Sequence, residues 1–89
     1  MKTLEEISTL VKNIDTQAEI TAFLKELLTE SEIETLSKRW RILEMLKQGY
    51  TQREIAKELQ VSLCKVTRGA KIMKNKKSIL AKYLFKENY

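Results

Sequence analysis

The residues of this chain best suited to chemistry are polar and cationic, and the chemistry they suit is contact with nucleic acid. Residues 50–73 read YTQREIAKELQVSLCKVTRGAKIM. With its periodic apolar positions assigned to a core, Arg53, Leu63, Cys64, Lys65, Thr67 and Arg68 are left facing outward. A short helix that enters the major groove presents such a set. Lys65 and Thr67 lie near enough to the start of that helix to reach base edges, and Leu63 and Cys64 can meet thymine methyl groups. Gln52, Arg53, Lys74, Lys76 and Lys77 suit phosphate contacts, which hold register without reading sequence. The loop lysines equally suit plain solvation. Other chemistries lack parts. With no His and a single Cys, a zinc set is not expected and a Ser-His or Cys-His pair is impossible. No glycine-rich loop is present to cradle a phosphate, so an enzyme is not expected. Cys64 would need an activated thiolate to serve as a redox switch, and nearby Lys65 is the sole support for one.

Two helices must position these side chains. Ile55, Ala56 and Leu59 share one helical face. Val61 follows at a turn, and Val66 and Ile72 carry the apolar face of the second helix. Thr51 with Glu54 forms a capping-box start, and Ser62 can cap the second helix. Gln60 stands where many such turns place Gly, so a left-handed backbone there carries strain. The layout is that of a helix-turn-helix, although an ordinary helical hairpin would share the caps and the periodicity.

An 89-residue chain is one small domain, for which a second copy is a plausible source of extra core. Pro is absent and Gly occurs twice, which predicts an all-α fold. No apolar run approaches the ~20 residues of a membrane span, and the opening MKTLEEIST has no signal-peptide core. One Cys with no intrachain partner fits a reducing cytoplasm. Net charge is +5, unevenly spread: residues 1–36 carry three Lys against eight acids, residues 37–89 fourteen Lys or Arg against four. A basic C-terminal part that contains the two short helices is the footprint expected for phosphate binding. A merely solvated basic face would look the same.

Along the chain, Leu4, Ile7, Leu10 and Val11 form a first helix face. Asp15 or Thr16 can cap a second helix, Thr16 with Glu19 as a capping box. Ile20, Phe23, Leu24, Leu27 and Leu28 make its stripe, wide enough to predict burial against more than one partner. Thr29 and Glu32 begin a third helix of about 19 residues, the longest. It runs through Leu36, Trp40, Leu43, Met45 and Leu46 to Gln48-Gly49, where Gly supplies a left-handed end. A basic loop follows the short pair, and Ser78 can cap a last helix carrying Ile79, Leu80, Tyr83, Leu84 and Phe85. The count is six helices.

The stretch LLTESEIETLSKRWRILEMLKQGYTQREIAKELQVSLCKVTRGAKIMK, residues 27–74, resembles the tryptophan repressor family. The matching pieces are Leu28-Thr29, R-x-R-I at Arg39 to Ile42, Gly49, TQRE at Thr51 to Glu54 and VTRG at Val66 to Gly69. They keep the family's spacing without gaps over more than half of the chain; the flanking helices match in pattern only.

The resemblance implies a six-helix, intertwined homodimer: dimerisation helices over 1–48, a helix-turn-helix over 50–73, and a basic loop with a C-terminal helix over 74–89. It implies a transcriptional repressor that binds a palindromic double-stranded operator when L-tryptophan, a corepressor, fills a pocket beside the reading helix. Reading helices ~34 Å apart are established for two-fold dimers of this kind, this family included. Arg39 and Arg68 match the two guanidinium groups that sandwich the indole, which suits a planar cation that also pairs with carboxylates. Thr29 matches a partner of the ligand carboxylate, and the carbonyls around Glu26 to Leu28 match those receiving its ammonium. Leu43 and Gly69 match residues bordering the pocket, and a side chain at Gly69 would fill the space beside a bound ring. Three positions depart from the family. Ile72 falls where a serine helps hold the ammonium, Glu26 where a small apolar residue stands, and Lys65 where the reading helix has a threonine. A lysine there favours guanine O6 or N7. A regulator of the same fold that acts without tryptophan, or with another indole compound, is the alternative; docking of an acidic protein partner is a further one.

Overall fold

The computed structural model describes residues 2–84. Among them are six α-helices and no strand: α1 (Lys2–Lys12), α2 (Gln17–Leu27), α3 (Glu30–Lys47), α4 (Gln52–Leu59), α5 (Leu63–Lys74) and α6 (Ile79–Leu84). The expected all-α class and helix count hold. Phe85, assigned above to the last helix, lies outside the described residues.

The starts of α2 to α6 are each fixed by a hydroxyl that accepts an otherwise unpaired backbone N–H. Thr16 Oγ1 accepts from Glu19 N at 3.2 Å, and Ser62 Oγ from Lys65 N at 3.3 Å. Ser78 Oγ accepts from Ala81 N at 3.1 Å. Thr29 and Thr51 make full capping boxes: Glu32 N donates to Thr29 Oγ1 at 3.1 Å while Thr29 N donates to Glu32 Oε1 at 2.9 Å. The Thr51–Glu54 pair repeats this at 3.1 and 2.8 Å. The backbone N–H of Thr51, then its hydroxyl, hold the Glu54 carboxyl below its usual range, slightly opposed by burial. The box is therefore intact above the ordinary carboxylate range and opens as pH falls through that lowered value.

Two ends use the same geometry. At α3, Gly49 (φ 95°) donates to Leu46 O at 3.1 Å and Tyr50 N to Met45 O at 3.1 Å, the paired bonds of a Schellman motif. At α4 the left-handed position falls on Gln60 (φ 54°, ψ 49°), with Val61 N donating to Ala56 O at 3.1 Å. A Cβ in that region is strained. Gln60→Gly is expected to stabilise the chain by about 0.5–1 kcal/mol, since part of the relief is offset by the freedom glycine gains when unfolded. A thermal melt should move up by a few degrees; an unchanged or lower midpoint would show that Gln60 is not strained.

The contacts divide the chain into two units, Met1–Ile33 and Glu34–Tyr89. In the first, α1 and α2 have no buried residue. Leu4 and Leu10 of α1 remain open to solvent in the single chain, and in the α2 stripe Leu24 and Leu27 do too, while Ile20, Phe23 and Leu28 are half-buried. The second unit has the core. Ile55 and Val66 are fully buried (0%), and Ile42 and Met45 close around them. Leu46, Ala56, Leu59 and Val61 pack on that cluster. Positions 42, 45 and 46 of α3 share one face, which turns to α4 and α5. Leu36 and Trp40 lie on another and remain about half exposed. No helix of the described residues is long and apolar enough to cross a membrane.

Candidate functional site

Two helix faces of the second unit border one cleft, and both have the spacing i, i+3, i+4, i+7 that aligns side chains on a helix. From α3 come Leu36, Arg39, Trp40 and Leu43; from α5 come Lys65, Arg68, Gly69 and Ile72. Leu80 of α6 adds an apolar wall. The volume is about 730 Å³, within the roughly 300–1,000 Å³ of small-molecule sites.

Gly69 sets how close the helices come. A Cβ there would lie 2.8 Å from Ile42 Cγ2, 3.4 Å from Leu46 Cδ1 and 3.6 Å from Leu43 Cδ2. A Cβ at 69 would first meet Ile42 of α3, and Gly69 also lines the cleft. The missing Cβ makes room for Ile42 of α3, and the cleft lies beside that close approach.

The charged lining is one-signed: Arg39, Arg41, Lys65 and Arg68, with no carboxylate among the described lining residues. Arg41 Nη1 bonds Glu44 Oε1 at 3.1 Å. That bond engages Glu44, one of two acids, with Glu58, that could otherwise offer Arg39 or Arg68 an ordinary ion pair. Glu58 lines a different hollow with Tyr50 and Lys57. Arg39 and Arg68 are exposed, and neither pairs with another described residue. Two unengaged guanidinium groups over apolar walls can stack on a flat ring and also take a carboxylate.

The structure thus gathers five of the six expected ligand residues, Arg39, Leu43, Arg68, Gly69 and Ile72, around one cleft. Thr29 belongs to the other unit, where its hydroxyl accepts from Glu32 N. Leu36, Trp40, Leu80 and Lys65 as a wall of the cleft were not foreseen. For all but Leu80, the repeated i, i+3, i+4, i+7 spacing on both helices was the signal available.

The expected nucleic-acid residues lie on the α4–α5 pair, Lys76 and Lys77 excepted. Arg53, Leu63, Cys64, Lys65 and Lys74 are exposed. Gln52 and Thr67 are half-buried and joined to each other, Thr67 Oγ1 donating to Gln52 Oε1 at 2.9 Å. The hydroxyl proton of Thr67 is therefore engaged in tying α5 to α4, leaving its oxygen free only to accept. Beyond α5, Lys76 and Lys77 are exposed, and Asn75 Oδ1 accepts from Lys77 N at 2.9 Å. Among the described residues no three His, Cys, Asp or Glu side chains group so as to hold a metal ion.

Known proteins give the same pattern a wider frame. The family model described as Trp repressor protein matches residues 2–88. Proteins named Trp operon repressor homolog, from Xylella fastidiosa strains M23, Temecula1 and 9a5c, are each 44% identical over 57 residues. The matched part is 63% of this chain and 62% of each relative, so the match spans under two thirds of the length of those relatives. No solved structure matches the chain significantly.

Proposed function

The chain belongs to the Trp repressor protein family, and from that premise we propose that it is a DNA-binding transcriptional repressor whose α3–α5 cleft takes L-tryptophan as corepressor. The observation that carries this reading is the cleft itself. Arg39 and Arg68, from different helices, border the same apolar space with no competing partner among the described residues. An indole between two guanidinium planes, its carboxylate bonded to one of them, uses both faculties of arginine.

The α4–α5 pair is the reading head. Lys65, Leu63 and Cys64 meet base edges, while Gln52, Arg53 and Lys74 hold phosphates. Thr67 acts there with Gln52, to which it is bonded. Because the cleft shares α5 with the reading head, a ligand that favours one placement of α5 favours one DNA affinity. Its effect is limited to its differential affinity for the two states, and DNA must tighten the ligand by the same factor.

The open stripe of α1 and α2 supports a homodimer in which a second copy covers Leu4, Leu10, Leu24 and Leu27. Two-fold symmetry then asks for a palindromic operator. The protein so read is cytoplasmic and has no enzymatic role.

A second reading has one observation in its favour. Ile72 lies in the cleft and cannot hydrogen-bond, so a regulator of this fold that uses another indole compound, or none, stands as the alternative. Duplexes selected from a randomised pool by the full chain decide between them. Their affinity, titrated at fixed salt, is expected to rise at least tenfold between zero and millimolar L-tryptophan. A flat titration would remove tryptophan as corepressor, and a salt slope near zero would remove DNA as the partner.

A further inference from the structure

Three hydroxyls inside α1 and α2 bond locally: Ser8, Thr9 and Thr21 each donate to the backbone carbonyl four residues back, at 2.8, 2.9 and 3.1 Å. That is the usual bond of a mid-helix hydroxyl. Thr67, in the second turn of α5, instead donates across to another helix, to Oε1 of Gln52 at 2.9 Å. Gln52 is the first residue of α4 after its Thr51 cap, and both partners are half-buried. An amide has an acceptor edge and an NH2 edge with two donors, so a proton held on the oxygen fixes where the nitrogen points. Nε2 of Gln52 bonds no described residue. No buried side-chain nitrogen or oxygen among the described residues lacks a partner, so Nε2 lies open to solvent with both donors free.

We infer that Thr67 is a positioning residue, whose hydroxyl turns the Gln52 amide so that its NH2 edge meets a DNA phosphate, the two residues together making one contact. The inference rests on reading α4–α5 as the DNA-binding head. Thr67 suits the part: branched at Cβ, it has few rotamers in a helix, and its neighbour Val66 is fully buried. A free glutamine side chain loses rotamer freedom when it takes a ligand, whereas one already held by Thr67 has lost that freedom on folding. Phosphate oxygens accept and do not donate, so an amide that presents NH2 bonds them and one that presents its oxygen repels them. Thr67 thus acts on DNA through Gln52.

Duplexes selected from a randomised pool by the full chain test this, at fixed salt and millimolar L-tryptophan. Q52A is expected to weaken binding about tenfold, the effect of one hydrogen bond to a charged group, and T67V about fivefold. The double variant should lose no more than Q52A alone, where independent contacts would lose about fiftyfold. T67S, which keeps the hydroxyl, should bind as wild type does. One phosphate in each half-site, replaced by methylphosphonate, should cost wild type about tenfold more than it costs Q52A and about fivefold more than it costs T67V. Circular dichroism shows which variants fold, and T67A, which also lacks the hydroxyl, repeats the test should T67V not fold. Losses that multiply in the double variant, T67V equal to wild type, T67S as weak as T67V, or a T67V loss that no single phosphate accounts for overturn the inference and leave the DNA-binding head standing. Wild type that binds no duplex, or binds with a salt slope near zero, overturns both.

Discussion

Replacing Arg39 and Arg68 together by alanine is expected to weaken L-tryptophan binding about a hundredfold while barely changing the melting temperature. A stacked cation contributes roughly 0.5–2 kcal/mol, and a charge-assisted bond to a carboxylate roughly 1.5–3 kcal/mol. At the low end of both ranges, fitting for exposed groups, two stacked guanidiniums and one such bond reach about 2.5–3 kcal/mol, near a hundredfold in affinity. The fold should be spared because both side chains are exposed and neither bonds another described residue; surface changes of this sort fall within about 0.5 kcal/mol. Lysine at either position should not restore affinity, since an ammonium has neither the plane nor the fork. Calorimetry without DNA is the right measurement, because Arg68 lies on the reading helix. Unchanged affinity in the double variant would mean the ligand binds elsewhere or not at all.

Ile55→Ala carries the largest expected cost in stability, about 2–5 kcal/mol. Ile55 is 0% exposed and joins α4 to Ile42 and Met45 of α3 and Val66 of α5. Truncation removes buried methylenes and leaves a cavity that two short helices and a stiff third cannot fully close. A small domain has only about 5–15 kcal/mol in all, so the midpoint of thermal unfolding should fall by about 10 °C or more at fixed protein concentration. Leu63→Ala, at a residue 46% exposed, should change it little. Equal effects from the two substitutions would contradict the core described here.

What could be read from the sequence was mostly local. The hydroxyl caps at Thr16, Thr29, Thr51, Ser62 and Ser78 act over three residues, so residue type and spacing identify them. Gly49 and Gln60 likewise declare a left-handed turn through the bonds around them. Periodicity found the faces of α1, α2 and α3 but not what covers them. The i, i+4 spacing places Leu36 and Trp40 together whether they end in a core or on a cleft, and it says nothing of why Leu4 and Leu27 stay open in one chain. The Thr67–Gln52 bond spans fifteen positions, and the approach of Gly69 to Ile42 joins separate helices; neither has a local signature. Arg39 and Arg68 entered as candidates through resemblance, since two arginines so far apart in sequence give no sign of sharing a space. The fold supplies that link by packing α5 on α3 through Gly69.

The most direct test of the central claim is a titration of L-tryptophan into isotopically labelled full chain, followed by backbone and arginine side-chain NMR shifts. The largest changes are expected at Arg39, Leu43, Arg68 and Gly69, saturating together with one dissociation constant. Shifts confined to the hollow lined by Asp15, Glu19, Phe23 and Glu26, or none up to millimolar ligand, would contradict it.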